Sequence, residues 1–208
     1  IQQQFGWEET VDKAPEKEVV LLHGVTSSGK TEIYVKLIEQ AISKGKQVLY
    51  LLPEIALTAQ IINRLQKYFG DVVGVYHSKF NENERVEIWN TVLKNNQEAS
   101  SNNAQFKLII GARSALFLPF HNLGLVIVDE EHDTSYKQYD PAPRYNARDA
   151  AIYLAHIHKT KTLLGSATPS IESYYNAQEG KYGFAELQKR FGGVQMPEIL
   201  IADVKEAK

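Results

Sequence analysis

Two groups of side chains in this sequence have the types and spacing for chemistry on phosphate. The first is Gly24-Val25-Thr26-Ser27-Ser28-Gly29-Lys30-Thr31. Its two glycines let the backbone curl so that successive N–H groups point inward. A helix starting at its end would add a positive N-terminal pole, and together these hold phosphate oxygens. In such a loop Lys30 neutralises the β- and γ-phosphates and Thr31 places its hydroxyl on Mg²⁺. The second group is Asp129-Glu130-Glu131-His132. Carboxylates crowded at the end of an apolar run are costly unless a cation or a reacting group needs them. Asp129 suits the Mg²⁺ shell, and Glu130 suits the orientation or deprotonation of a water that attacks the γ-phosphate of ATP.

The elements that must position these groups follow from hydrophobic periodicity. Val19 to Leu22 reads as a buried strand ahead of the loop, and Thr31 to Ile42 carries Ile33, Val35, Leu37, Ile38, Ala41 and Ile42 at helical spacing. Gln47 to Leu52, Val72 to Tyr76, Lys107 to Gly111, Leu123 to Val128 and Thr162 to Leu164 read as further buried strands. Helices are expected from Thr58 to Phe69, from a capping pair at Asn81 and Glu84 to Lys94, and from Ala147 to His158. In the third of these four helices Val86, Ile88, Trp89, Val92 and Leu93 form the apolar share, with Trp89 as a buried anchor. His23, at a strand end, is expected to be satisfied by neighbouring backbone. Strand and helix alternate, which is the α/β order of an open parallel sheet.

That architecture presents the strand-exit loops along one edge. Pro53 to Thr58 leaves the second strand there, Arg113 and Ser114 leave the fourth, and Gly165 to Ser170 leaves the sixth. Arg113 can meet a backbone phosphate or pair with a nearby carboxylate. Ser166 and Thr168 can bridge the Asp129 to His132 region to whatever lies beyond it. The stretch from Asp133 to Asn146 interleaves Tyr136, Tyr139 and Tyr145 with Lys137 and Arg144 between Pro141 and Pro143. Such a loop suits stacking and phosphate contact on a single strand, and ordinary tyrosine packing explains it equally well.

Composition sets the bounds. The 208 residues are 43% hydrophobic, enough for one substantial core. The absence of cysteine excludes disulfides and thiolate zinc sites and fits a reducing, cytoplasmic setting. No apolar run approaches the length of a membrane span. A formal charge of −2 argues against a dedicated nucleic-acid binder, so any such contact must be local. Asn95 to Gln105 is a low-complexity polar tract, expected as a surface loop.

The order of Gly24 to Thr31, Pro53 to Thr58, Gly111 to Phe117, Asp129 to His132 and Gly165 to Ser170 resembles the first-lobe motifs of superfamily 2 helicases of the DExH type. The wording from Val19 to about Ser173 is similar, more narrowly, to the bacterial primosomal replication-restart helicases: Pro-Glu-Ile-Ala-Leu-Thr, Arg-Ser-Ala-Leu-Phe, Val-Asp-Glu-Glu-His-Asp, Ser-Tyr-Lys-Gln, Arg-Tyr-Asn-Ala-Arg-Asp and Gly-Ser-Ala-Thr-Pro-Ser. The resemblance implies an α/β, RecA-like P-loop lobe, a mostly parallel sheet with helices on both faces, that binds ATP and Mg²⁺. It implies that Lys30 and Thr31 contact nucleotide and metal, that Asp129 and Glu130 act as metal ligand and catalytic base, and that His132, Ser166 and Thr168 couple nucleotide state to DNA movement. Pro53, Glu54, Arg113 and Ser114 match strand-contacting motifs, and Tyr136, Lys137, Tyr139, Arg144 and Tyr145 an aromatic-rich loop that senses single-stranded DNA. The activity implied is 3′ to 5′ movement along DNA at abandoned forks, with primosome assembly proteins and single-stranded-DNA-binding protein as partners.

The expected division is an N-terminal segment over 1–18, the lobe over 19–183 and a passage toward a second lobe over 184–208. Without cysteines the chain lacks that family's zinc-binding region, and nothing after Ser170 resembles a second motor lobe. An excised fragment is expected, with little ATPase activity of its own, because loss of an arginine finger costs about 10³ to 10⁵ in rate. Another superfamily 2 translocase, or a non-catalytic module that binds DNA or a partner, are the alternative readings.

Overall fold

The computed structural model describes residues 16–54, 56, 59–77, 80–94 and 106–190. The expected tract at 95–105, together with Ile55, Leu57, Thr58 and Ser78, lies outside them. In chain order the elements are β1 (Val19–Gly24), α1 (Lys30–Ser43), β2 (Gln47–Leu51), α2 (Ala59–Phe69), β3 (Val73–Tyr76), α3 (Glu82–Lys94), β4 (Leu108–Gly111), β5 (Leu123–Asp129), α4 (Ala147–Ile157), β6 (Lys161–Ser166), α5 (Ile171–Gln178) and β7 (Gly183–Leu187). The strands form one sheet in the order β3-β4-β2-β5-β6-β1-β7, and every neighbouring pair is parallel.

A parallel sheet must be covered on both faces, so its strands read as continuous apolar runs. The side-chain period of two then divides each run between two cores. Val20, Leu22, Val48, Tyr50, Ile110, Leu125, Ile127 and Leu163 pack with α1 and with Leu65 of α2. Leu21, Leu49, Leu51, Ile109, Val126, Val128 and Leu164 pack with Val92 of α3, Ala147, Ala151 and Ala155 of α4, and Ala177 of α5. This alternation decides the chemistry at the end of β5. Asp129 shares the parity of Leu125 and Ile127 and therefore falls on the α1 face. Gly165, its register partner in β6, falls there too.

Helix starts follow local chemistry. Asn81 and Glu84 form the expected reciprocal box: each backbone N–H donates to the other's side-chain oxygen, both at 2.9 Å. Asn146 accepts from Arg148 N at 3.0 Å to begin α4, and Ser170 accepts from Ser173 N at 3.3 Å to begin α5.

Two expectations are corrected. Trp89 is 41% exposed, not a buried anchor. Helix α3 has apolar residues on two stripes, and the one holding Ile88 and Val92 faces the sheet, leaving Val86, Trp89 and Leu93 outside. His23 is not held by backbone: its Nδ1 lies 3.5 Å from Glu186 Oε1, with Tyr174 and Phe184 against its ring. The segment expected as a passage over 184–208 is described only through residue 190, and it opens in β7. It pairs with β1 from Val20↔Gly183 to Gly24↔Leu187, so the sheet continues through Leu187.

Candidate functional site

Because the sheet is parallel, the C-terminal ends of β1, β6 and β5 lie side by side on one edge. The loop from Gly24 to Thr31 leaves β1 there. Gly29 has φ 91° and Ser27 φ 64°, both in the left-handed region, which folds the loop tightly over the strand end. No side chain caps α1, so its leading N–H groups are left to whatever the loop encloses. Val25 N is tied to Leu187 O at 3.3 Å and Ser28 N to Val25 O at 3.0 Å. The Lys30 ammonium donates to Gly24 O at 2.7 Å, laying its side chain back along the loop. Ser28 Oγ is shut away from solvent without a hydrogen-bond partner among the described residues, beside the space a side chain at Gly24 would fill. A phosphate oxygen would satisfy that hydroxyl. Thr26 is exposed on the loop's rim, and Thr31 sits in the first turn of α1.

Asp129 ends β5 opposite this cradle. Its Oδ1 accepts from the Tyr34 hydroxyl at 2.8 Å and from Glu130 N at 3.1 Å, and its Oδ2 accepts from the Tyr50 hydroxyl at 3.0 Å. Tyr34 lies one helical turn after Lys30 on the same face of α1, so the helix that begins at Lys30 also carries the phenol that holds Asp129. Burial pushes the Asp129 carboxyl above its usual range. The Glu130 charge adds to that push, while the Tyr34 and Tyr50 hydroxyls and the Lys30 ammonium oppose it. Burial first, and then the Asp129 charge, hold Tyr34, Tyr50 and Tyr136 well above the ordinary phenol range, so all three remain protonated donors.

Glu130 has φ 48°, a conformation costly for a residue with a Cβ, and it turns the chain sharply out of the strand. Its Oε2 lies 3.7 Å from His132 Nδ1. That nitrogen also sits 2.8 Å from Ser166 Oγ, and Nε2 sits 3.3 Å from Thr168 Oγ1. Thr168 N donates to Ser166 Oγ at 2.9 Å. His132, Ser166 and Thr168 therefore form one chain of contacts leading from Glu130 to the loop after β6.

Glu131 has a different fate. It is 2% exposed and accepts from Arg148 Nη1 (3.1 Å), Ser170 N (2.7 Å), Ser170 Oγ (3.0 Å) and Ser173 Oγ (2.8 Å). It joins the end of β5 to α4 and α5.

The residues expected to contact a nucleic-acid strand divide. Tyr139 is 67% exposed, Arg144 is exposed, and Lys137 is half-buried at the base of the same loop. Tyr145 is half-buried and packs edge-to-face with the exposed Phe117, ring centroids 5.3 Å apart. Tyr136 leaves this group. A short turn over Thr134–Tyr136, started by Asp133 accepting from Ser135 N at 2.8 Å, drives the ring inward. It is 1% exposed, and its hydroxyl is shared between Asp129 O at 2.7 Å and Leu51 O at 3.1 Å. It cannot stack on a base. Arg113 Nη1 donates to Ser135 O at 3.0 Å and Lys137 O at 3.3 Å, so it braces the tyrosine loop instead of pairing with a carboxylate. Ser114 is half-buried in the turn after β4. Pro53 is buried and Glu54 exposed at the exit of β2.

Tyr34, Tyr50, Arg148 and Ser173 escape the sequence reading. For Tyr34 a signal existed in its position four residues after Lys30. For Tyr50 it was a phenol in an aliphatic strand close to the ligand edge.

No group of three or more His, Cys, Asp or Glu side chains that could hold a metal ion occurs among the described residues. The Thr31 hydroxyl, one aspartate and the phosphates of the nucleotide suit Mg²⁺, which is commonly held through one or two carboxylates together with phosphate oxygens.

The DEAD/DEAH box helicase family matches residues 6–177, well over half of the chain. The chain belongs to the DEAD/DEAH box helicase family. Among relatives of this helicase lobe, the replication restart protein PriA of Bacillus subtilis is 45% identical over 95% of the chain, and that of Rickettsia felis 48% identical over 90%. The chain spans only 23% and 28% of their respective lengths. Solved structures share the fold at low identity. The helicase MrfA bound to DNA superposes with a TM-score of 0.58 at 16% identity, covering 90% of this chain and 25% of that one. A DEAD box protein from Methanococcus jannaschii gives 0.56 at 16%, covering 82% and 46%. The lobe is RecA-like: a parallel sheet with helices on both faces, as in these neighbours.

Proposed function

We propose that this chain is the ATP-binding motor lobe of a DNA helicase that restarts stalled or abandoned replication forks, coupling ATP hydrolysis to 3′ to 5′ translocation on single-stranded DNA. The observation that carries this reading is the Tyr34 to Asp129 hydrogen bond, which ties the helix beginning at Lys30 to the end of β5, where the Lys30 charge reaches the Asp129 carboxyl. The high identity to replication restart proteins PriA supports the biological setting.

In this reading the loop Gly24, Val25, Thr26, Ser27, Ser28 and Gly29 cradles the phosphates of ATP through backbone N–H groups and the Ser28 hydroxyl, and Lys30 neutralises their charge. Thr31 and Asp129 would hold Mg²⁺, which supplies charge neutralisation on the phosphates. Glu130 orients the attacking water and takes its proton. His132 contacts Glu130, Ser166 and Thr168, so a shift of Glu130 on hydrolysis reaches the loop after β6 and, through it, the DNA path. Tyr139, Arg144, Lys137 and Tyr145 meet the strand by stacking and phosphate contact. Arg113 and Ser114, with Pro53 and Glu54, support that path from the neighbouring strand exits. Forked DNA, primosome assembly proteins and single-stranded-DNA-binding protein are the partners of the intact protein, in the cytoplasm. No described helix is long and apolar enough to cross a membrane.

The test is ATP turnover and strand separation by the intact protein on a fork substrate. Lys30→Ala is expected to abolish ATP turnover and unwinding while fork binding persists. Unchanged turnover would remove this assignment.

A further inference from the structure

The carboxylate of Asp129 is held in an unusual way for a group on a strand end. Neither oxygen is fixed by a salt-bridge partner within 4 Å among the described residues. Two phenols from different elements grip one oxygen each, Tyr34 of α1 on Oδ1 at 2.8 Å and Tyr50 of β2 on Oδ2 at 3.0 Å. Both rings are fully buried and pack edge-to-face with centroids 5.6 Å apart, so neither phenol is free to swing away. A carboxylate offers about four lone-pair sites. Tyr34 and the Glu130 N–H occupy both on Oδ1, while Tyr50 occupies one on Oδ2. A single acceptor site on Oδ2 is left without a protein donor among the described residues. The sheet is also shaped for this grip. A Cβ at Gly165 would come within 1.8 Å of the Tyr34 hydroxyl and 3.3 Å of Asp129 Oδ1, so only glycine opposite Asp129 lets the phenol pass over β6 to reach it.

We propose that Tyr34 and Tyr50 are positioning residues that fix the rotation of the Asp129 carboxylate and reserve one site on Oδ2 for the divalent cation that accompanies the nucleotide, with Gly165 providing the clearance the clamp requires. This rests on the reading of Asp129 as the metal-holding carboxylate and adds what aims it. A hydroxyl pair suits that task better than a lysine or arginine would. It orients the oxygens with neutral dipoles and leaves the negative charge for the cation, whereas a bound guanidinium would compete with it.

The test uses the intact protein and a fluorescent, non-hydrolysable ATP analogue, titrated with MgCl₂ and separately in excess EDTA. The EDTA affinity reports the phosphate loop. The dependence on MgCl₂ reports the aimed carboxylate. In the Tyr34→Phe/Tyr50→Phe double variant the Mg²⁺ concentration for half-maximal binding should rise about 10-fold or more, with the EDTA affinity and the far-UV circular-dichroism spectrum of the folded protein unchanged. Gly165→Ala should move the Mg²⁺ midpoint in the same direction. If the double variant stays within about twofold of the parent while Asp129→Asn shifts the midpoint by more than about 10-fold, the clamp is overturned and the metal assignment survives. If Asp129→Asn leaves the midpoint unmoved, the metal assignment itself falls and the clamp with it. Loss of EDTA affinity in parallel with Mg²⁺ dependence would mark the phenols as general packing residues and overturn the proposal.

Discussion

Asp129 and Glu131 lie two residues apart at the end of one strand, and the structure treats them in opposite ways. Glu131 is closed. A guanidinium, two hydroxyls and a backbone N–H surround it, and its charge and acceptors are spent on joining β5 to α4 and α5. Asp129 is open. Its direct donors are two phenols and one backbone N–H, its carboxyl is pushed up by burial, and one side of Oδ2 has no protein donor among the described residues. A carboxylate saturated by a cationic side chain is architecture, while one oriented by neutral donors keeps its affinity for a cation. Glu130 stands between them at a left-handed φ, the backbone turn that sends its two neighbours to opposite faces.

Substitutions that should move only one side of this contrast can break it or sharpen it. The largest expected effect is on turnover: Asp129→Asn should lower ATP hydrolysis by about 10²-fold or more, because the amide lacks the charge that would hold Mg²⁺ on the phosphates. Its urea midpoint should stay close to the parent's, since the amide has the same shape and keeps an oxygen that accepts from Tyr34 and from Glu130 N–H. Glu131→Ala should do the reverse, costing about 3 to 5 kcal/mol of stability by leaving Arg148 without its buried partner, read from urea denaturation. A turnover loss without a stability loss in Glu131→Ala would erase the distinction.

Smaller effects are expected at the exposed loop. Tyr139→Ala should weaken single-stranded DNA binding by about 1 to 3 kcal/mol if a base stacks on it, measured by fluorescence anisotropy. Arg144→Ala should weaken binding uniformly across sequences and reduce the dependence on salt by about one counterion. Tyr136→Phe should leave DNA affinity nearly unchanged, because its ring is buried and only its hydroxyl contacts with Asp129 O and Leu51 O are lost.

The sheet was legible because each of its central strands is an apolar run and each connection is long enough for a helix. The phosphate loop and the acid cluster were legible because residue types alone carry their chemistry. The interior of the site was not. Tyr34 and Tyr50 sit inside hydrophobic patterns, where a phenol reads as core, and only the parity of β5 and the gap at Gly165 reveal that their hydroxyls meet on Asp129. Trp89 was misread because α3 offers two apolar stripes and periodicity cannot say which one the sheet covers. Tyr136 was misread because a short turn capped by Asp133, rather than the composition of its loop, sets its direction. The division of labour between Glu130 and Glu131 depends on one backbone angle that no residue type announces.

The central claim is that Lys30 and Asp129 close on the same triphosphate. A crystal structure of the intact protein with Mg²⁺ and a non-hydrolysable ATP analogue tests it most directly. The phosphates are expected in the loop from Gly24 to Thr31, with Mg²⁺ bound by the nucleotide, the Thr31 hydroxyl and Asp129 Oδ2. Nucleotide bound away from that loop, or Mg²⁺ held without Asp129, would contradict it.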